Sequence, residues 1–142
     1  MKNIALQLLL LASLLFTTYK SDAQKWVGSS GAAKIEVIDF HTTHRCQTCL
    51  AIENAARNVV EQEFANEVKA GKIVFKTVDV DDSKNNQIAE KFEASGTALF
   101  VYNGKTGQAL DLTEAGFMYA VNNEAKLKEF LRNAIRKNLL LL

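Results

Sequence analysis

The chain has 142 residues, 17 Lys and Arg against 16 Asp and Glu, a formal charge of +1, and 48% hydrophobic residues. That is enough for one domain with a hydrophobic core. Near-neutrality, with no basic run and no aromatic-basic stripe, argues against a nucleic-acid partner.

Residues 1–23 read as a secretory signal peptide. Met1-Lys2-Asn3 is a short positive start, Ile4 to Phe16 is almost unbroken apolar sequence, and Ser21 and Ala23 fit the small-x-small pattern of a cut after Ala23. The alternative is an uncleaved anchor, but the run is shorter than the roughly 20 residues of a spanning helix. The expectation is therefore an exported protein, periplasmic or extracellular, that meets the membrane only through this segment before cleavage. Removing Lys2, Lys20 and Asp22 leaves a neutral remainder.

Residues 24–33 are small and polar, with Gly28-Ser29-Ser30-Gly31 at their centre, and read as a flexible lead-in, with Trp26 and Val27 as candidates for a short first strand. The domain proper is expected over 34–142. Lys34 to Phe40 is a near-continuous apolar strand, interrupted by Asp39 and suited to burial on both faces. Leu50 to Lys69 carries Ile52, Ala56, Val59, Val60, Phe64 and Val68 at helical spacing, and Gly71 suits its C-terminal end. Ile73 to Val80 predicts a second central strand, with Asp79, Asp81 and Asp82 clustered at its end. Asp82 or Ser83 can cap a short helix through Phe92. Thr97 to Tyr102 and Gln108 to Leu112 flank an Asn103-Gly104 turn and predict a hairpin. Glu124 to about Asn138 is a last helix, with Leu127, Phe130, Leu131, Ala134 and Ile135 on its inner face. Four leucines follow, Leu139 to Leu142. They cannot all lie on one inward stripe, so any exposed remainder is a candidate contact for a partner or a second copy.

Cys46-Gln47-Thr48-Cys49 holds the only two cysteines and lies between the first strand and the long helix. At a helix N-terminus, unpaired N–H groups and the helix dipole favour a thiolate. A bridge over two intervening residues closes so small a loop that it restrains the unfolded chain little. This favours redox or metal chemistry over a purely structural bridge. Arg45 and His44 are placed to lower the Cys46 pKa by charge, or else are ordinary loop groups. Asp39, with apolar neighbours on both sides, is expected to be buried with a raised pKa, its alternative being a solvent-facing edge position. A competing site uses His41, His44, Cys46 and Cys49, two nitrogens and two sulfurs suited to zinc or cuprous ion. The bland reading, loop histidines beside a redox pair, is preferred.

The order of elements, with Cys-x-x-Cys opening the first long helix, resembles the thioredoxin fold. Val37-Ile38-Asp39-Phe40 is similar to the strand that carries that family's buried acid. Val78-Asp79-Val80-Asp81 is similar to its next strand end, and Thr97 to Gly104 to its following hairpin. The resemblance implies an α/β fold, a mixed central sheet with helices on both faces. It implies Cys46 as attacking thiolate, Cys49 as deeper resolving thiol, and Asp39 as the base that takes the Cys49 proton. The family's tryptophan before the first cysteine is missing. So is its proline facing the cysteines, since the chain has none; Gly96 or Thr97 stands in that substrate-facing loop. A missing screen over the thiols leaves room for a bound metal, although the resemblance itself implies no cofactor beyond the disulfide. His44-Arg45-Cys46-Gln47-Thr48-Cys49 followed by Ile52-Glu53 resembles small secreted bacterial proteins catalogued as a subunit of a nitrophenyl-compound nitroreductase linked to aromatic arsenical resistance. That implies a reductase partner subunit beside a protein or small-molecule thiol or disulfide partner. No flavin-binding signature, which nitro reduction would normally need, is present. Beside the oxidoreductase stand two other readings, a metal-binding module and a non-catalytic docking subunit.

Overall fold

The computed structural model describes residues 34–142. The signal segment, the lead-in and the strand through Trp26 and Val27 lie outside the described residues. Strand β1 (Ile35–His41) leads to helix α1 (Gln47–Asn58), a wide π turn (Val59–Glu63) and short helix α2 (Ala65–Lys69). Next come β2 (Ile73–Asp79), a 3-10 turn (Ser83–Asn85) and α3 (Asn86–Lys91). The chain closes with β3 (Ala98–Asn103), β4 (Ala109–Asp111), α4 (Thr113–Tyr119) and α5 (Glu124–Leu139).

The described strands form one mixed sheet in the order β2-β1-β3-β4. β1 runs parallel to β2 and antiparallel to β3. β2 is therefore an outer strand of the described sheet rather than a central one. Its apolarity is explained differently: Ile73 and Val78 are buried, Thr77 is exposed, and half-buried Phe75 is covered by the Arg57 guanidinium 4.7 Å from its ring centroid.

Alternation along β1 sends side chains to two cores. Ile35 and Val37 join Leu99 and Val101 of β3 against α1, α4 and α5. Ile38 and Phe40 join Val78, Phe92 and Phe100 on the opposite face, beside α3. Helical layers thus cover both faces, as the sequence reading expects. Leu127, Leu131 and Ile135 are fully buried in the first core, each worth roughly 1.5–3 kcal/mol of burial.

The long helix is not continuous to Lys69. It widens at Val59–Glu63 and breaks at Phe64, whose backbone leaves helical geometry (φ −119°, ψ 28°). With this shift Val59, Val60 and Phe64 all stay buried, while Glu63 meets Arg132 of α5 (Nη2 to Oε1 2.9 Å). Gly71 ends the segment at φ +70°, a conformation that suits glycine. Phe130, expected inside, is 38% exposed and stacks on Tyr119 of α4 instead (centroids 5.9 Å). α4 itself has no strong sequence signal, because Gly116 lies at its centre. Its tertiary setting explains both points: a Cβ at Gly116 would lie 3.1 Å from Ile52 Cδ1. Of the terminal leucines, Leu139 and Leu142 pack on the core, while Leu140 is 88% exposed and Leu141 also faces out. Among the described residues no helix is long and apolar enough to cross a membrane.

Candidate functional site

The site lies where β1 ends and α1 begins. Cys46 is the N-cap of α1, extended at φ −79° and ψ 163°. Its Sγ accepts the Cys49 N–H at 3.1 Å, so a first-turn donor of the helix points at this sulfur. Cys46 is exposed, Cys49 is buried in the first turn, and the two form a disulfide with Cα atoms 5.1 Å apart. The order of exposure, Cys46 outside and Cys49 deeper, is the one that the thioredoxin resemblance implies for this pair.

The loop before Cys46 is held from β2. Thr43 donates its N–H to Asp81 Oδ2 (2.8 Å) and its hydroxyl to Asp79 Oδ2 (3.0 Å). His41 is paired with Asp79 in the β1–β2 register, and its carbonyl accepts Val80 N–H at 2.8 Å. Asp79 and Asp81 are therefore a clasp for the loop before Cys46, while Asp82 caps the following 3-10 turn through Lys84 N–H. The Asp79 carboxyl lies below its ordinary pKa, chiefly because the Asp81 N–H donates to it, with the Thr43 hydroxyl adding to this.

Asp39 lies on β1 and is 0% exposed, which rules out a solvent-facing position. Burial pushes its pKa up to about 7, although Arg45 pulls the other way; the nearby charge of Glu53 adds to the rise. Arg45 Nη2 donates to Asp39 Oδ2 at 3.0 Å, and Arg45 Nη1 pairs with Glu53 Oε2. Glu53 also takes Arg57 (Nη2 to Oε1, 2.6 Å). Burial alone would raise the Glu53 pKa, but hydrogen bonds from Arg57 and Arg45 hold it below the usual carboxylate value. The Arg45 charge is thus turned inward onto two carboxylates. Sequence reading had it beside Cys46 as a tuning charge or free in solvent, and it did not include Glu53 in the site. The signal that could have found Glu53 is its position seven residues past Cys46, two helical turns along α1.

His44 is exposed, and its carbonyl accepts the Thr42 hydroxyl at 2.8 Å. His41 is half-buried, with ring Nδ1 3.0 Å from the Thr42 carbonyl. Among the described residues no three or more of His, Cys, Asp and Glu gather closely enough to hold a metal ion. The four-residue set His41, His44, Cys46 and Cys49 is therefore not assembled, because both sulfurs are in the disulfide and His44 faces solvent.

Gly96 and Thr97 precede β3. Phe40 pairs with Ala98, so Thr97 emerges at the end of the sheet where β1 hands over to the redox loop. Both residues line a groove of about 520 Å³ with Phe92, Ala98, Asp111 and Thr113; neither cysteine lines it.

No protein-family model matches the chain, and no curated protein matches it in sequence. Solved structures do. A chloroplastic thioredoxin z is similar over 78% of this chain and 87% of its own, at 21% identity and a TM-score of 0.50. Human ERp44 in its zinc-bound form is similar over 71% of this chain at 20% identity, TM-score 0.47, and the chain spans only 26% of ERp44. Fasciola hepatica thioredoxin is similar over 71% of this chain and 81% of its own, at 22% identity, TM-score 0.39. The fold of residues 34–142 is thioredoxin-like, a mixed four-stranded sheet carrying a Cys-x-x-Cys pair.

Proposed function

We propose that the chain is an exported thiol–disulfide oxidoreductase working through Cys46 and Cys49. The observation that carries this reading is the placement of Cys46. This exposed residue caps a helix and its sulfur receives the Cys49 N–H, while its disulfide partner is buried one turn below. A helix N-terminus lowers a cysteine pKa, and the thiolate is the nucleophile in disulfide exchange.

In the reduced protein, the Cys46 thiolate attacks one sulfur of a partner disulfide. A Cys46–partner bond forms, and the partner's other sulfur leaves as a thiolate. Cys49 gives its proton to the Asp39 carboxylate and attacks Cys46 Sγ. The Cys46–Cys49 bond forms, and the second partner sulfur leaves with its electron pair. Two electrons have moved to the partner, and its thiolates take protons from water. A dithiol donor running the same steps backwards restores the reduced pair. The partner's backbone is read along Gly96 and Thr97, which lie at the same end of the sheet. With Arg45 turned to Asp39 and Glu53, the exposed His44 is the next candidate in sequence for a group that tunes Cys46.

The finer proposal is that this domain serves a nitroaromatic or aromatic-arsenical reductase as a subunit. It rests on the sequence His44 to Cys49 with Ile52-Glu53, and the nitro chemistry then belongs to the partner.

The test is the equilibrium reduction potential of the pair in metal-free protein. A reversible two-electron transition within roughly −270 to −120 mV supports a working redox centre. A potential below about −300 mV, or none that is reversible, refutes it in favour of a structural bridge. Recovery of a flavin-bearing reductase on the tagged protein tests the subunit role, and a chain fully active alone argues against it.

A further inference from the structure

Arg45 is unusual for what it leaves unpaired as well as for what it pairs. One guanidinium serves both Asp39 and Glu53. Yet Arg45 Nε and Asp39 Oδ1 are buried with no hydrogen-bond partner among the described residues. Glu53 has a second arginine, Arg57, so its charge is well matched, whereas Asp39 holds only a share of one. A guanidinium given wholly to Asp39 would keep that carboxylate charged. With no guanidinium at all, burial would keep it protonated through neutral pH. Arg57 adds a weaker pull in the same direction as Arg45. Asp39 is paired with Thr77 on β2 and Leu99 on β3, and α5 brings Leu127, Leu131 and Ile135 to this core. Arg57 acts from further along α1.

We propose that Arg45 is a positioning residue: shared with Glu53, it keeps Asp39 able to alternate between carboxylate and acid, and so able to receive the Cys49 proton. This rests on the oxidoreductase reading above. The sequence neighbour of the nucleophile thereby governs the opposite, buried end of the pair. Asp39 gains the proton as Cys49 attacks Cys46 Sγ, and releases it to solvent once the disulfide has closed.

The test needs no turnover in its first arm. In the full chain with the disulfide formed, the Asp39 carboxyl carbon is titrated by NMR in the wild type and in Arg45→Met, Arg45→Lys and Glu53→Gln. Arg45→Met should raise the midpoint by about one unit or more, roughly tenfold less carboxylate at a given pH. Arg45→Lys should recover most of that rise, and Glu53→Gln should lower the midpoint. In the second arm, resolution of a mixed disulfide between Cys46 and glutathione should show a pH profile that follows the same midpoints. An unmoved midpoint in Arg45→Met overturns the proposal, as does an equal rise in Arg45→Lys, which would make the role steric. Should Arg45→Met not fold, Glu53→Gln still decides: a midpoint that stays or rises overturns it. Midpoints that move as expected in a wild type that resolves no mixed disulfide would uphold the charge coupling. They would overturn its catalytic use together with the oxidoreductase reading.

Discussion

Replacing the buried acid should make the protein more stable at neutral pH and remove a specific pH dependence. Asp39 has a folded pKa of about 7 against 3.8 for an ordinary aspartate. Below pH 3.8 it is protonated in both the folded and unfolded chain and costs nothing. Between 3.8 and about 7 the unfolded chain releases the proton while the folded one keeps it, so stability falls as pH rises; above 7 the loss is complete. The interval of about 3 units at 1.36 kcal/mol each corresponds to about 4 kcal/mol. Asp39→Asn cannot ionise, keeps the shape, and leaves Arg45 paired with Glu53. Its advantage over wild type should therefore be about 4 kcal/mol larger at pH 8 than at pH 4. Urea unfolding of both oxidised proteins across that range measures the difference, and other carboxylates largely cancel in the comparison. An advantage that does not change between pH 4 and pH 8 would refute the reasoning, since it would mean that Arg45 holds Asp39 at an ordinary pKa.

Other changes probe separate links. Cys49→Ser should trap a stable Cys46 mixed disulfide with a model disulfide, seen as added mass, whereas Cys46→Ser should form none. Gly104→Ala would place a Cβ 2.9 Å from the Lys34 carbonyl oxygen, where Gly104 N–H now donates at 2.9 Å. Backbone cannot swing aside as a side chain can, so a loss of about 1–3 kcal/mol is expected by urea unfolding. Leu131→Ala, at a fully buried position of the first core, should cost about 2–5 kcal/mol with no change in the redox potential of the pair.

Much of the frame was legible along the chain because it is written in local patterns. The near-continuous apolar run around Asp39, the helical spacing from Ile52 to Phe64, the Asn103-Gly104 turn and the cysteine pair before a helix each carry their meaning within a few residues. Asn103 shows where that reading thins. Its turn was predictable, but its side chain is fully buried and also reaches Asn138 of α5 (Nδ2 to Oδ1, 3.2 Å), thirty-five residues away.

What the sequence determined by itself was that Cys46 and Cys49 stand at the start of a helix after a buried strand, since helix capping and apolar periodicity are short-range effects. Only the tertiary structure decided where the charges go. It turned Arg45 inward to Asp39 and Glu53, made Asp79 and Asp81 a clasp for Thr43, left His41 and His44 apart from a metal-binding group, and gave Gly116 a helix to sit in. The physical reason is common to all four: a buried charge or a tight contact is settled by partners brought together from distant parts of the chain, and no local pattern names those partners.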